Sequence, residues 1–145
     1  MNIMSTEILN ANDMLKGSNG ANEIFVNPIY NFNYTDGVRN FTIENEMFWL
    51  LDLISFYQKE VSWTKEKGFY IKTVLNQDFQ VWKLERHLKK DKQGNVISRK
   101  NSFMLTCTDG NNNILKSHRI PFSDFKFDIY TVWLQNKTLL LPEEY

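Results

Sequence analysis

The sequence has little cysteine, proline and glycine, and it has no long hydrophobic run. Its 145 residues include one Cys, three Pro and six Gly, and the longest apolar run has five residues. The single Cys107 excludes an intramolecular disulfide framework and a multi-cysteine zinc site, and it favours a reducing compartment. A content of 42% hydrophobic residues with so few Pro and Gly is typical of a globular domain. No membrane span is predicted, because a helix needs about 20 apolar residues to cross a bilayer.

The first residues lack the basic region and the apolar core of a secretion signal. We therefore expect a cytoplasmic protein of a bacterial host, with no membrane partner. A chain of this length buries roughly 68–70% of its unfolded surface, which is enough for a core without a cofactor. We expect a monomer or a weak dimer.

Two parts are expected along the chain. Residues 1–22 predict a weak N-terminal helix or flexible segment, which Ser5 or Thr6 can cap and which the turn at 17–20 ends. Residues 23–145 predict a single α+β domain.

The clearest predicted element is a long helix over residues 42–63. Its apolar positions follow helical spacing, and they cover almost the whole circumference. The preceding turn offers Thr35 or Asp36 as a helix cap. Since a helix that is apolar nearly all round must be enclosed, we expect it to lie buried at the centre of the domain. The alternative is that part of its apolar surface forms an interface.

From residue 78 the pattern changes to short β-prone runs separated by turn residues. The predicted strands are 79–88, 103–108, 114–122, 129–134 and 138–141, and residues 24–34 predict an extended edge segment. The predicted turns are 91–95, 109–112 and 136–137. The sequence therefore predicts an α+β fold with one long buried helix packed on a four- to five-stranded antiparallel sheet.

The net charge is zero, but the positive charge is concentrated in one block. Residues 64–119 carry twelve Lys or Arg against five Asp or Glu, a net of +7. Residues 1–63 have a net charge of −5, and residues 120–145 have a net charge of −2. Most of the basic residues lie on the predicted hairpin around the turn at 91–95, and with Arg119 they form the candidate partner-binding site. These residues are Lys83, Arg86, His87, Lys89, Lys90, Lys92, Arg99, Lys100 and Arg119. The alternative is a solvated hairpin tip or edge strand that Lys and Arg keep soluble.

Motifs for metal and nucleotide binding are missing from the sequence. The two histidines, His87 and His118, lack the spacing of a zinc site. The pattern at 109–113 begins like a calcium loop but lacks the Gly and the Glu that such a loop needs. No glycine-rich phosphate-binding motif occurs either, so we predict no cofactor and no metal.

Catalysis is the less favoured hypothesis. Cys107 lies in phase with apolar residues on a predicted strand, which indicates a buried and unreactive thiol. A metal-free ribonuclease is chemically conceivable with His87 or His118 beside Lys116 and Arg119. We expect no enzyme activity and keep the ribonuclease as an alternative.

Seven short motifs follow one another between about residue 30 and residue 145. They are Tyr34-Thr35-Asp36-Gly37-Val38, Phe48-Trp49-Leu50-Leu51-Asp52, Ser55-Phe56-Tyr57-Gln58, Phe79-Gln80-Val81-Trp82-Lys83-Leu84, Cys107-Thr108-Asp109-Gly110-Asn111, Ile120-Pro121-Phe122-Ser123-Asp124-Phe125 and Leu139-Leu140-Leu141-Pro142-Glu143-Glu144-Tyr145. In this order they resemble a family of small bacterial and phage proteins that is classed as a domain of unknown function. The resemblance implies a common fold and assigns no catalytic residues, and the stretch near 86–102 looks like an insertion relative to the family.

In size and in its seventeen Asn residues the chain is also similar to anti-CRISPR proteins of mobile elements, among them an inhibitor of a type VI-B RNA-cleaving effector. That similarity implies a non-catalytic inhibitor that binds the RNA-guided nuclease, its guide RNA or both, and blocks productive assembly. An aromatic content of 14% suits an interface, and the basic hairpin suits RNA or an acidic protein patch. A general RNA- or DNA-binding module is the alternative within the binding class.

Overall fold

The structure is a computed structural model, and it describes residues 6–15, 23–59, 61–64, 69–72 and 77–145. The described chain has two α-helices, α1 (Asp36–Glu44) and α2 (Phe48–Gln58). Its strands are β1 (Ile24–Val26), β2 (Asn33–Thr35), β3 (Val61–Thr64), β4 (Phe69–Lys72), β5 (Phe79–Lys90), β6 (Val96–Thr108), β7 (Ile114–Ile120), β8 (Ile129–Gln135) and β9 (Thr138–Leu140). Short 3-10 helices lie at Ala11–Leu15 and Pro142–Glu144.

Seven of the described strands form one mixed sheet in the order β1-β2-β9-β8-β5-β6-β7. All neighbours in this sheet are antiparallel except β2 and β9, which pair in parallel. The strands β3 and β4 form a separate antiparallel hairpin. The prediction of a four- to five-stranded antiparallel sheet is therefore wrong. Runs of β-prone residues between turns indicated the longer strands, but three-residue strands such as β1 and β2 are too short to show such a pattern.

The prediction of one long helix over 42–63 is also wrong, because the chain turns between α1 and α2. Glu46 has a positive φ of 54° at this turn, and the Asn45 N–H ends α1 by donating to the carbonyl of Phe41. Hydrophobic spacing could not reveal the turn, because Met47 stays buried on its far side. The helix α2 ends at Gln58, and residues 61–64 form β3. Neither described helix has the length and apolarity needed to span a bilayer.

The 3-10 helix at Pro142–Glu144 packs against the start of α1. Thr35 caps the helix as predicted, since its hydroxyl accepts a hydrogen bond from the Val38 N–H at 3.3 Å. The same hydroxyl donates to the buried carboxylate of Glu144 at 2.6 Å. A Cβ at Gly37 would lie 2.6 Å from a Glu144 oxygen, so a side chain at this position would displace the Glu144 carboxylate. The first and the last of the seven motifs therefore pack against each other.

Both helices pack on one face of the seven-stranded sheet, which we call the helix face. Phe41 of α1 stacks on Tyr130 of β8, with 4.1 Å between the ring centroids. Tyr57 of α2 stacks on Trp82 of β5, with 6.1 Å between the centroids. Buried residues alternate with partly exposed ones along β5 and β8, so the partly exposed residues point to the opposite side of the sheet. We call that side the open face.

Residues 6–15 lie beside β8 and hydrogen-bond to its backbone. The Asn12 side chain accepts from the Thr131 N–H at 2.7 Å and donates to the Thr131 carbonyl at 2.9 Å. The predicted cap Ser5 and the predicted turn at 17–20 lie outside the described residues. The described N-terminal segment thus continues the sheet where β9 ends.

Candidate functional site

The predicted turn at 91–95 joins β5 and β6 into a long antiparallel hairpin, which confirms that part of the prediction. The Asp91 carboxylate accepts hydrogen bonds from the N–H groups of Gln93 and Asn95, both at 2.9 Å. Hydrogen bonding, led by the Asn95 N–H, holds the pKa of Asp91 below its usual value. Gly94 has a φ of 88°, a conformation that glycine adopts without steric cost.

Arg86 lies at the base of the hairpin and is buried. Its side chain is 5% exposed, and its Nε lies 3.0 Å from the Asp128 carboxylate. Its two terminal nitrogens donate to the carbonyl oxygens of Lys100 at 2.7 Å, Phe127 at 3.1 Å and Phe125. Burial lowers the pKa of Arg86, and the attraction of Asp128 opposes that shift. Because these contacts are all internal, Arg86 holds the fold together and is not available to a partner.

The fully buried Asp128 binds a second arginine. Arg99 Nε lies 3.0 and 3.1 Å from the two Asp128 oxygens, and Arg99 Nη2 donates to the carbonyl of Glu7 at 2.7 Å. The Leu9 N–H donates to the same carboxylate at 2.8 Å. We call Arg86, Asp128 and Arg99 the buried triad. It ties the hairpin to the N-terminal segment, so two of the nine predicted partner-binding residues act within the fold.

The other basic residues of the predicted site lie nearer the surface. Lys83 pairs with Glu85 on the open face at 3.7 Å, with both side chains a little under half exposed. Five residues are exposed and form no ion pair among the described residues. They are Lys89, Lys90, Lys92, Lys100 and Arg119. The predicted positive surface therefore exists, but it is smaller than the run of charges in the sequence indicates.

Three of the predicted residues meet at a groove of about 390 Å³, which we call the basic groove. His87, Lys100 and Arg119 line it together with Leu88 and Ser102. The His87 Nδ1 lies 2.8 Å from the Ser102 hydroxyl. The described lining thus presents an imidazole, an ammonium, a guanidinium and a hydroxyl, and it includes no carboxylate. Such a set can bind a phosphate or a carboxylate group.

The candidate catalytic residues have separate surroundings. His118 points to the helix face, where its Nδ1 lies 2.5 Å from the Tyr57 hydroxyl, whereas His87 lines the basic groove. Lys116 lies over the Tyr57 ring at 4.8 Å. Cys107 is buried as predicted, and burial raises its pKa to about 12. The structure therefore does not bring His87 and His118 into one site.

Sequence reasoning missed a polar cavity of about 610 Å³ where the end of α2 meets the start of β5 and the β8–β9 turn. Gln58 and Gln80, both buried, form two reciprocal amide hydrogen bonds of 2.7 and 3.0 Å in its wall. The Trp82 indole N–H donates to Gln80 at 2.9 Å. The only sequence signal was the position of Gln58 at the end of the largely apolar α2. The amides satisfy each other, so the pair fastens the helix to the sheet.

The shared partner of Arg86 and Arg99 was also missed. Asp128 appears in the sequence only as one of four acidic residues in the last charge block. Nothing in its spacing from Arg86 or Arg99 indicates that the three residues meet. Among the described residues, no cluster of three or more His, Cys, Asp or Glu can hold a metal ion.

Comparison with known proteins gives a family but no activity. The family model described as "Family of unknown function (DUF6876)" matches residues 9–145. No curated protein and no solved structure gives a significant match to the chain. The predicted resemblance to a domain of unknown function is thereby confirmed. Because the match covers nearly the whole sequence, the chain belongs to DUF6876, a family of unknown function.

Proposed function

We propose that this protein is a non-catalytic binding protein that holds an anionic partner in the basic groove and on the exposed lysines beside it. The partner in this proposal is an RNA-guided nuclease, with a type VI-B RNA-targeting effector as the first candidate, or its guide RNA. The protein acts as an inhibitor encoded by a mobile element. The supporting observation is the convergence of His87, Lys100 and Arg119 on a groove without a carboxylate in its described lining.

The geometry suits binding to phosphate groups of RNA. Arg119 donates in a fixed fork, and Lys100 supplies a flexible point charge. His87 and Ser102, which are hydrogen-bonded to each other, add polar groups deeper in the groove. Phosphate contacts of this kind position a protein on RNA without reading its sequence. Occupying the guide RNA or its binding channel in this way blocks assembly of an active complex.

The buried triad supports this proposal indirectly. It fixes the base of the hairpin through Arg86 and Arg99, which are both bonded to Asp128. A hairpin held this way presents Lys100 in a defined position before a partner arrives. Preorganisation of that kind lowers the entropic cost of binding.

The test compares two double charge reversals. Lys100→Glu with Arg119→Glu removes the positive charge of the groove, and Lys126→Glu with Lys137→Glu makes the same change in charge elsewhere on the surface. Target-RNA cleavage by a type VI-B effector is measured with each variant added. We expect the control pair to inhibit like the native protein and the groove pair to lose inhibition, with both melting temperatures nearly unchanged. Full inhibition by the groove pair would contradict the proposal.

A general RNA- or DNA-binding module remains the second candidate, because the same groove fits the backbone of free RNA. Incubation with labelled RNA separates the candidates. The inhibitor gives little shift with naked RNA, and the general module gives a shift that weakens steeply between about 50 and 200 mM salt. A ribonuclease would cleave the RNA, and His87→Ala or His118→Ala would abolish the cleavage.

A further inference from the structure

One edge of the sheet, formed by β7, is long and has no pairing partner among the described strands. Among the described strands, β7 pairs only with β6, and its other edge has no neighbour. β7 has seven residues, which corresponds to about 23 Å of extended chain. The strand at the opposite edge, β1, has three residues. An unpaired edge of this length offers a row of backbone N–H and C=O groups to another extended chain.

The charges on this edge select its partner. Residues 110–123 contain Lys116 and Arg119 and no Asp or Glu. Basic residues on an edge strand oppose pairing with a second copy of the same strand, because like charges would face each other. Arg119, which is exposed on the open face, attracts a strand that carries acidic side chains.

The side chains of β7 differ between the two faces of the sheet. On the helix face, Lys116 and His118 are in contact with Tyr57. On the open face, Arg119 lies opposite Met104 of β6 and lines the basic groove. An added strand has alternating side chains, so every second residue would point to the open face beside Arg119.

We propose that β7 binds an extended acidic segment of a partner protein as an eighth strand of the sheet. Backbone hydrogen bonds along the free edge hold the segment, and acidic side chains at alternate positions reach Arg119 and the basic groove. Ile114 and Phe122, which are 67% and 69% exposed at the two ends of this stretch, contact apolar residues at the ends of the segment. This inference deepens the proposed function and rests on it, since it names how the protein component of the partner is held.

The probe is a synthetic peptide of about seven residues in which Glu alternates with Val, matching the length of β7. Amide hydrogen exchange is followed by NMR at millimolar peptide. We expect alternate amides of β7 to exchange up to about tenfold more slowly, because in an antiparallel edge every second N–H points outward. A peptide with Lys in place of Glu, and an acidic peptide interrupted by Pro, should give no protection.

The matched variants are Arg119→Glu and Lys137→Glu. Both make the same change in charge on exposed residues, but Lys137 lies at the β8–β9 turn, away from β7. We expect Arg119→Glu to weaken binding of the acidic peptide about tenfold or more and Lys137→Glu to change it less than about twofold. Equal effects of the two variants would overturn the inference.

The outcomes separate this inference from the proposed function. Binding of the acidic peptide without slower exchange in β7, or no binding at millimolar peptide, refutes strand addition even if the protein inhibits the nuclease. Protection of β7 by the acidic peptide supports strand addition even if no RNA-guided nuclease is inhibited. An RNA oligonucleotide that protects the same β7 amides as the peptide would also count against a protein strand as the occupant.

Discussion

The two arginines at the base of the β5–β6 hairpin differ from the lysines around its tip in the groups that meet their charge. Arg86 and Arg99 both contact the buried carboxylate of Asp128 and donate to backbone carbonyls. Lys89 and Lys90 are exposed and have no ion-pair partner among the described residues. The positive charges at the base of the hairpin therefore stabilise the fold, whereas those near its tip remain exposed and can bind a partner.

This difference separates stability from binding. The arginines at the base are hydrogen-bonded to a buried carboxylate and to backbone carbonyls, so removing either arginine leaves buried groups without partners. Charge at the tip is solvated, so removing it changes the electrostatic potential and leaves the core intact. Reversing Arg86 or Arg99 would lower the melting temperature, and binding tests belong on the exposed cations alone.

The largest expected effect is on Asp128. Asp128→Asn keeps the shape of the side chain but leaves two guanidinium groups facing an uncharged amide. Breaking a buried ion pair by removing one partner costs about 3–5 kcal/mol. We therefore expect a loss of that size in the free energy of unfolding, measured by urea denaturation.

The control for this prediction is Asp124→Asn. Asp124 is exposed, and exposed substitutions away from special contacts change stability by about 0.5 kcal/mol or less. Similar losses for both variants would mean that the buried triad does not stabilise the fold and that the base and tip of the hairpin do not differ.

The next effect is smaller and compares two arginines directly. Arg86→Met removes the donors to the Lys100 and Phe127 carbonyls, but Asp128 keeps its hydrogen bonds with Arg99. We expect a loss of about 3 kcal/mol in the free energy of unfolding, since unsatisfied buried acceptors and a weakened ion pair both contribute. Arg119→Met should cost about 0.5 kcal/mol or less. If Arg119→Met proved the more costly change, the assignment of the two roles would be reversed.

Features of the fold that depend on residues close together in the sequence could be predicted, and those that depend on distant residues could not. The turns at 91–95 and 136–137 were predicted correctly, because a few adjacent residues determine them. The strand at 103–108 was predicted from its alternation, and the other long strands were predicted from β-prone runs between turns. The first half of β6, which begins at Val96, was missed. The break at Glu46 and the parallel pairing of β2 with β9 were missed, since the first leaves the apolar spacing intact and the second joins residues about 100 positions apart.

The candidate site shows the same limit. Lys89, Lys90 and Lys100 were placed correctly on a hairpin surface, because a run of charged residues next to a turn is exposed for local reasons. Arg86 looked like one more member of that run. Its burial depends on Asp128, 42 residues later, and one sequence without coupled variation carries no signal for that pairing.

The third effect concerns affinity and rests on the proposed function. Lys100→Gln removes one positive charge from the basic groove. If single-stranded RNA is bound there, the logarithm of the binding constant decreases linearly with the logarithm of the salt concentration. The slope of this line should become less negative by roughly 0.7 for each phosphate that the variant no longer neutralises. Lys137→Gln, at the distant β8–β9 turn, should leave the slope unchanged. Titrations over a range of salt concentrations measure both, and an unchanged slope for Lys100→Gln would remove this residue from the binding surface.

The smallest effect lies in the turn at the tip, where Asp91 is the one residue that we expect to affect stability. Hydrogen bonds from Asn95 and Gln93 lower its pKa in the folded state. A carboxyl group with a lowered folded pKa stabilises the fold at pH values above its unfolded pKa of about 4, and this contribution is lost as the pH falls through the folded value.

Asp91→Asn keeps a side-chain oxygen but cannot ionise. We therefore expect its melting temperature to lie slightly below that of the native protein at neutral pH and to converge with it in acid. Lys92→Gln should show no such convergence, because the exposed lysines of the tip contribute to the surface potential and not to the stability of the turn. If the melting temperature of Lys92→Gln depended on pH in the same way as that of Asp91→Asn, cations at the tip would also stabilise the fold.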